Sequence, residues 1–146
     1  TLGVIDLPFL GVRVDSGALA DVGSFEDAII GMGDAFHRGG PRLDAYLELT
    51  MSVHRRALRF RCVGAASVLW AWLVSGQIQG MVLAHNNPYD VVAGHAIARA
   101  AGAICTDYAG AALILESSGA MAAVPGIQPE LVSLAADLAA AAARES

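Results

Sequence analysis

Residues 58–106 read LRFRCVGAASVLWAWLVSGQIQGMVLAHNNPYDVVAGHAIARAAGAICT, and the alternation inside them sets the fold class. A β-type run at 58–63 ends on Gly64, a sharp-turn residue. Residues 65–75 then carry apolar side chains on nearly every side, the pattern of a buried helix, and stop at Ser75-Gly76. A strand follows at 81–84, a loop at 85–88, a second buried helix at 90–101 stopped by Gly102, and a strand at 103–106. Strands alternating with helices predict an α/β fold with a mostly parallel mixed sheet flanked by helices, because parallel neighbours need a crossover.

Outward from this block the signals weaken. Upstream, residues 2–7 read as a strand closed by Pro8, 11–23 as a turn-rich stretch with at most a short strand or two, and 28–32 as another strand. Gly39-Gly40-Pro41 breaks the chain before a helix at 42–56, whose inner face would carry Leu43, Tyr46, Leu47 and Val53. Downstream, 107–110 reads as a turn, 111–115 and 120–124 as strands, and 130–144 as one alanine-rich helix. With no repeat and no low-complexity tract, the 146 residues read as a single domain large enough to bury a core.

Composition narrows the class. The chain is 55% hydrophobic, with a mean hydropathy of +0.54, much of it from alanine. Its longest apolar stretch, 63–74, is well short of the roughly 20 residues that cross a bilayer, so no membrane partner is expected. Net charge is −5, and all nine basic residues are arginines. An acidic chain argues against nucleic acid. Arg55, Arg56, Arg59 and Arg61 cluster without aromatics to stack bases, and read as a solvated helix end followed by a strand with outward arginines. Cys62 and Cys105 form no CxxC pair, which predicts no disulfide framework and suits a reducing cytoplasm. Thr1 opens without the basic and apolar regions of a signal peptide.

Asp90 is the acid that stands out. It follows Pro88 at the first turn of an apolar helix, where a carboxylate meets free N–H groups and the positive end of the dipole. Taken alone it reads either as a helix cap or as a carboxylate at the mouth of a cleft, where α/β sheets bind ligands. His85 and His95 are not spaced as a metal pair around it, and His37 and His54 stand alone, so solvated or capping roles are expected for all four. Trp70, Trp72 and Tyr89 read as core or cleft-wall aromatics. No nucleophile elbow, Walker loop or GxGxxG occurs.

Four short motifs in order add to this. Arg61-Cys62-Val63-Gly64-Ala65-Ala66 resembles the R-x-x-G-S/T-A-A loop of the inositol monophosphatase family, and residues 74–78 resemble its V-A-x-G-x-I/L/V-D run. Pro88 through Gly94 resembles its W/Y-D-x-A-A-G signature, and residues 100–110 its E-A-G-G-x-x-T-D-x-x-G tail. The likeness extends more loosely to residues 3–8 and 122–125, and so covers nearly the whole chain. It implies the C-terminal part of that family's layered α/β sandwich and magnesium-dependent hydrolysis of phosphomonoesters by metal-activated water. Asp90 would be a direct Mg2+ ligand, and Gly64, Ala65, Ala66 and Leu83 would line the substrate site. A small phosphorylated metabolite is the implied ligand and a homodimer the implied assembly.

The family takes its other metal ligands from an upstream glutamate and a D-P-x-D-G-S/T motif, and neither is present; Ile5-Asp6-Leu7-Pro8 is not a version of it. The expectation is therefore a piece of a longer phosphatase, inactive alone, with a catalytically inactive binding or dimerisation module as the alternative. Cys62, Ala65 and Leu83 stand where the family commonly has two hydroxyl-bearing residues and a sugar-binding glutamate, which weakens the case for inositol as substrate. Tyr89, where tryptophan is commoner, is similar to the histidinol-phosphate branch. Residues 11–21 look shorter than the family's usual hairpin.

Overall fold

The computed structural model describes residues 5–8, 11–14, 19–35, 40–85 and 87–144. The expected strand positions at residues 2–4, parts of the turn-rich stretch, His37 and Asn86 lie outside them. Strands β1 (Ile5–Leu7) and β2 (Val12–Val14) pair antiparallel as a small separate sheet. The main sheet has five strands: β3 (Ile29–Met32), β4 (Arg59–Cys62), β5 (Gly80–Leu83), β6 (Ile104–Thr106) and β7 (Ala120–Ala123), in the order β4-β3-β5-β7-β6. β3 runs parallel to both β4 and β5, while β7 is antiparallel to β5 and β6, so the mixed, mostly parallel sheet is as expected.

Among the described residues, five α-helices cover the two faces: α1 (Pro41–Arg56), α2 (Ala66–Val74), α3 (Pro88–Ala100), α4 (Gln128–Leu134) and α5 (Ala136–Arg144). Because side chains alternate along a strand, the central strands β3, β5 and β7 feed two cores. Met81, Leu83, Ala120 and Ala122 join Leu69, Trp70, Leu73, Val91 and Ile97 on the α2–α3 face. Ile30, Met32, Val82, Met121 and Ala123 join Tyr46, Leu49, Val53, Leu131 and Leu138 on the other. Helices α2 and α3 both end with an N–H bonded to the carbonyl five residues back, Gln77 to Trp72 at 2.8 Å and Ala103 to Ala98 at 2.9 Å. The intervening Gly76 (φ 76°) and Gly102 (φ 96°) take the left-handed conformation this ending requires.

Four expectations are corrected. Residues 111–115 are not a strand: only Ala112 bridges to Thr106, while the Asp107 carboxylate accepts from the N–H groups of Ala109 and Ala111, curling the backbone into a turn. The helix at 130–144 is two helices, broken at the fully buried Ala135. On α1 Leu49 points inward and Leu47 outward, so the apolar face is Tyr46, Leu49 and Val53. Helix α3 is only half-buried: Val91, Gly94, Ile97 and Ala98 face inward, but Val92 and Arg99 are exposed.

Candidate active cleft

The parallel strands β3, β4 and β5 end side by side, and the segments leaving them enclose a cleft of about 160 Å³. Gly33 and Asp34 come from the end of β3, and Val63, Gly64, Ala65 and Ala66 from the link between β4 and α2. Leu83, Ala84 and His85 come from the end of β5, and Asp90 from the first turn of α3. All five residues nominated from sequence, Gly64, Ala65, Ala66, Leu83 and Asp90, therefore line one cavity at the carboxyl edge of the sheet, where α/β folds bind ligands.

Local chemistry separates the two readings of Asp90. The N-cap of α3 is Asn87, whose side-chain oxygen accepts from the Tyr89 N–H at 3.2 Å, and Pro88 fills the first helical position. Asp90 lies inside the helix, its own N–H donating to the Asn87 carbonyl at 2.9 Å. Among the described residues its exposed carboxylate takes no hydrogen bond, so the cap is accounted for without it. Helix α2 differs: Ala65 at its N-cap has no side chain to accept from the first turn. Ala65 and Ala66 line the cleft, so the uncapped, positive end of the α2 dipole lies at its edge and suits an anion.

Two buried tyrosines fix the strand ends that carry the cleft. Tyr46 of α1 donates its hydroxyl to the Gly33 carbonyl at 2.8 Å, and Tyr108 donates to the Leu83 carbonyl at 2.8 Å. Burial pushes both phenols above their ordinary range, so both remain donors at neutral pH. Arg42 bonds Tyr108 and donates to the Ser118 carbonyl at 2.9 Å, joining α1 to the same corner. Behind the cleft, Gly94 of α3 lies against the buried Trp70 of α2: a Cβ at 94 would stand 2.1 Å from the indole Cγ. The glycine of the signature motif therefore lets the two helices approach.

Asp34 was not singled out from sequence, although an acid directly after a β-type run at the carboxyl edge of a sheet is a readable signal. It and Asp90 supply hard oxygen donors. Mg2+ is held by one or two carboxylates with waters and phosphate oxygens completing its shell, so the donor type fits. Among the described residues no group of three or more His, Cys, Asp or Glu is arranged to hold a metal. His85 lines the cleft, whereas His95 lies in a separate cavity with Val91, Val92 and Leu113, where burial and then Arg99 lower its pKa. His54 packs edge-on against Phe60 at 4.8 Å. Trp70 is core as expected, but Tyr89 is 98% exposed and lines neither core nor cleft. Cys62 is exposed and Cys105 buried, both as free thiols. No helix among the described residues is long and apolar enough to cross a membrane.

Comparison with known proteins agrees with this geometry. The profile of the inositol monophosphatase family matches residues 18–143. The chain is 31% identical over 88 residues to the inositol-1-monophosphatase ImpA of Mycolicibacterium smegmatis, covering 60% of this chain and 32% of that protein. It is 29% identical over 82 residues to the Nus factor SuhB of Vibrio cholerae, covering 56% and 31%. The solved IMPase of Thermotoga maritima superposes with a TM-score of 0.82 at 22% identity, covering 97% of this chain and 57% of that one. The chain thus spans about a third of the length of the curated relatives it matches. With the family profile running through both sides of the cleft, from residue 18 to residue 143, the chain belongs to the inositol monophosphatase family.

Proposed function

We propose that this chain forms one wall of the active cleft of a Mg2+-dependent phosphomonoesterase acting on a small phosphorylated metabolite. The remaining carboxylates would come from a domain outside these 146 residues. The observation that carries the reading is the single cavity uniting an uncapped helix N-terminus, at Gly64, Ala65 and Ala66, with the Asp90 carboxylate that capping does not consume. Similar structures support it: a staphylococcal IMPase was solved with its products, and an IMPase/NADP phosphatase with NADP and Ca2+.

In this reading Asp90, with Asp34 beside the same cleft, would hold Mg2+. When bound, that ion supplies the charge that activates a water and stabilises the leaving oxygen. The first-turn N–H groups of α2 bind and orient the phosphate oxygens, and the dipole favours their charge. Leu83, Ala84 and Val63 exclude bulk water from the apolar side of the cleft. Tyr46 and Tyr108 hold the strand ends so that these groups converge.

Release of inorganic phosphate by the full-length protein, with and without Mg2+, tests the reading. Asp90→Asn should lower kcat/KM on the order of 100-fold or more by removing a charged metal ligand. Wild-type turnover in that variant would remove Asp90 from the metal site. A wild-type protein with neither turnover nor calorimetric Mg2+ binding would favour the non-catalytic module.

A further inference from the structure

Away from the active cleft, helix α3 carries a second opening along its outer side. A cavity of about 250 Å³ lies between Val91, Val92 and His95 of α3 and Leu113, Ile114 and Leu115 of the segment that follows β6. At Val92 and His95 it runs into a more open groove that continues past Ala96, Arg99 and Ala100 to the end of the helix. Val92, His95 and Arg99 follow one another at spacings of three and four, so they form one stripe. At 1.5 Å per residue that stripe is about 10 Å long.

The facing wall is held by its own hydrogen bonds. Ala112 bridges to Thr106, the Leu113 N–H donates to the Cys105 carbonyl at 3.3 Å, and the Ile114 N–H donates to the Ser117 hydroxyl at 3.1 Å. Leu113 is thereby buried, while Val92, Ile114 and Leu115 are exposed. Single exposed aliphatic residues are ordinary, but three that border one cavity form a patch that marks a binding site. The cavity is near the lower end of small-ligand pockets, and with the groove it has room for one alkyl chain.

Polar groups at the end of the stripe set the charge of the occupant. His95 stands where the cavity meets the groove, and burial, with Arg99 adding to it, lowers its pKa. At neutral pH it is an uncharged imidazole with one N–H to donate. Arg99, one turn further on, is exposed and permanently charged. Among the described residues it makes no ion pair, not even with Glu116, which follows Leu115. The last carbonyls of α3 do not need it, since those of Ile97, Ala98 and Arg99 accept from the N–H groups of Ala101, Ala103 and Gly102. A carboxylate between imidazole and guanidinium would receive a donor from each. A hydroxyl would gain a weaker bond, and an ammonium would meet like charge.

We propose that this outer face of α3 binds an aliphatic monocarboxylate of medium chain length, its chain between Val92 and Ile114 and its carboxylate on Arg99 and His95. The site shares no residue with the active cleft, so it stands whether or not phosphate release is observed. Calorimetry on the full-length protein tests it, with octanoate, 1-octanol and octylammonium each kept below its aggregation limit. Octanoate should bind about tenfold more tightly than octanol, and octylammonium more weakly than octanol. Arg99→Gln should bring octanoate close to octanol while leaving octanol unchanged, and Ile114→Gln should weaken both about fivefold. An octanoate preference that survives in Arg99→Gln overturns the proposal, as does binding untouched by Ile114→Gln. A wild-type protein that does not bind octanoate overturns it as well, and would leave this face to the rest of the full-length chain. Thermal unfolding checks that both exposed substitutions fold, and octanol binding by Arg99→Gln shows that the cavity is intact.

Discussion

The two faces of the sheet are held by different means. On the α2–α3 face the decisive contact is one of shape, with Trp70 fully buried against the bare Cα of Gly94, in a layer of aliphatic residues. On the other face buried polar groups carry the fine positioning: Tyr46 and Tyr108 bond the carbonyls at the ends of β3 and β5, and Gln128 donates to the Thr106 hydroxyl at 2.8 Å. The first face sets how the two helices whose N-termini reach the cleft lie against each other. The second sets where the strand ends stop. Apolar shape tolerates little added volume, whereas a lost hydrogen bond leaves the packing nearly intact.

The largest effect should follow from adding one methyl group to the shape-held face. Gly94→Ala gains up to about 1 kcal/mol in helix propensity, but overpacking against a buried indole costs about 1–3 kcal/mol or more. At 2.1 Å from the ring the upper end applies, so urea denaturation should show a net loss of about 2 kcal/mol. A neutral or stabilising result would break the contrast between the faces. On the polar face Tyr108→Phe should cost about 1 kcal/mol, since the Leu83 carbonyl loses a donor while the ring still fills its place against Gly119. A loss as large as that of Gly94→Ala would show that the hydroxyl organises more than one bond.

The smallest effect is a difference in slope at alkaline pH. Both phenols are raised in the folded state, mainly by burial, from an ordinary value of 10.0. Their contribution to stability is complete below that value and is lost as pH rises above it, because the unfolded chain ionises first. Wild-type stability should therefore fall more steeply above about pH 10 than that of the Tyr46→Phe/Tyr108→Phe variant. Cys105, pushed up to about 12 by burial, adds a loss common to both proteins. Equal slopes would mean that the tyrosines ionise freely and that the polar face is open to water.

Where local pattern and tertiary packing agree, the sequence was readable. The alternation in residues 58–106 located β4, α2, β5, α3 and β6 to within about two residues, since apolar runs and glycine stops are local signals. Residues 111–115 misled because apolar content alone cannot separate a strand from a bent segment: Leu113 is buried while Ile114 and Leu115 are 59% and 57% exposed. The break at Ala135 has no glycine or proline to announce it, and follows from burying Leu131 and Leu138 in the same core. Within the cleft, the motif residues could be named from their order along the chain. Asp34 belongs to no motif, and it reaches the cleft only because β3 lies beside β5, a neighbour relation that no local pattern encodes.

The arginines of β4 acquire a use from the strand order. β4 lies at one margin of the five-stranded sheet, and a marginal strand presents unpaired N–H and C=O groups on which a foreign strand could extend. Arg59 and Arg61 are both exposed there, with Arg55 and Arg56 close by on the preceding helix end. Guanidinium groups along that border make strand-by-strand aggregation unfavourable, through like-charge repulsion between copies and the desolvation it would demand. Among the described residues, a cluster that resembles a weak polyanion site thus sits where it would disfavour strand-by-strand pairing at the margin of the sheet.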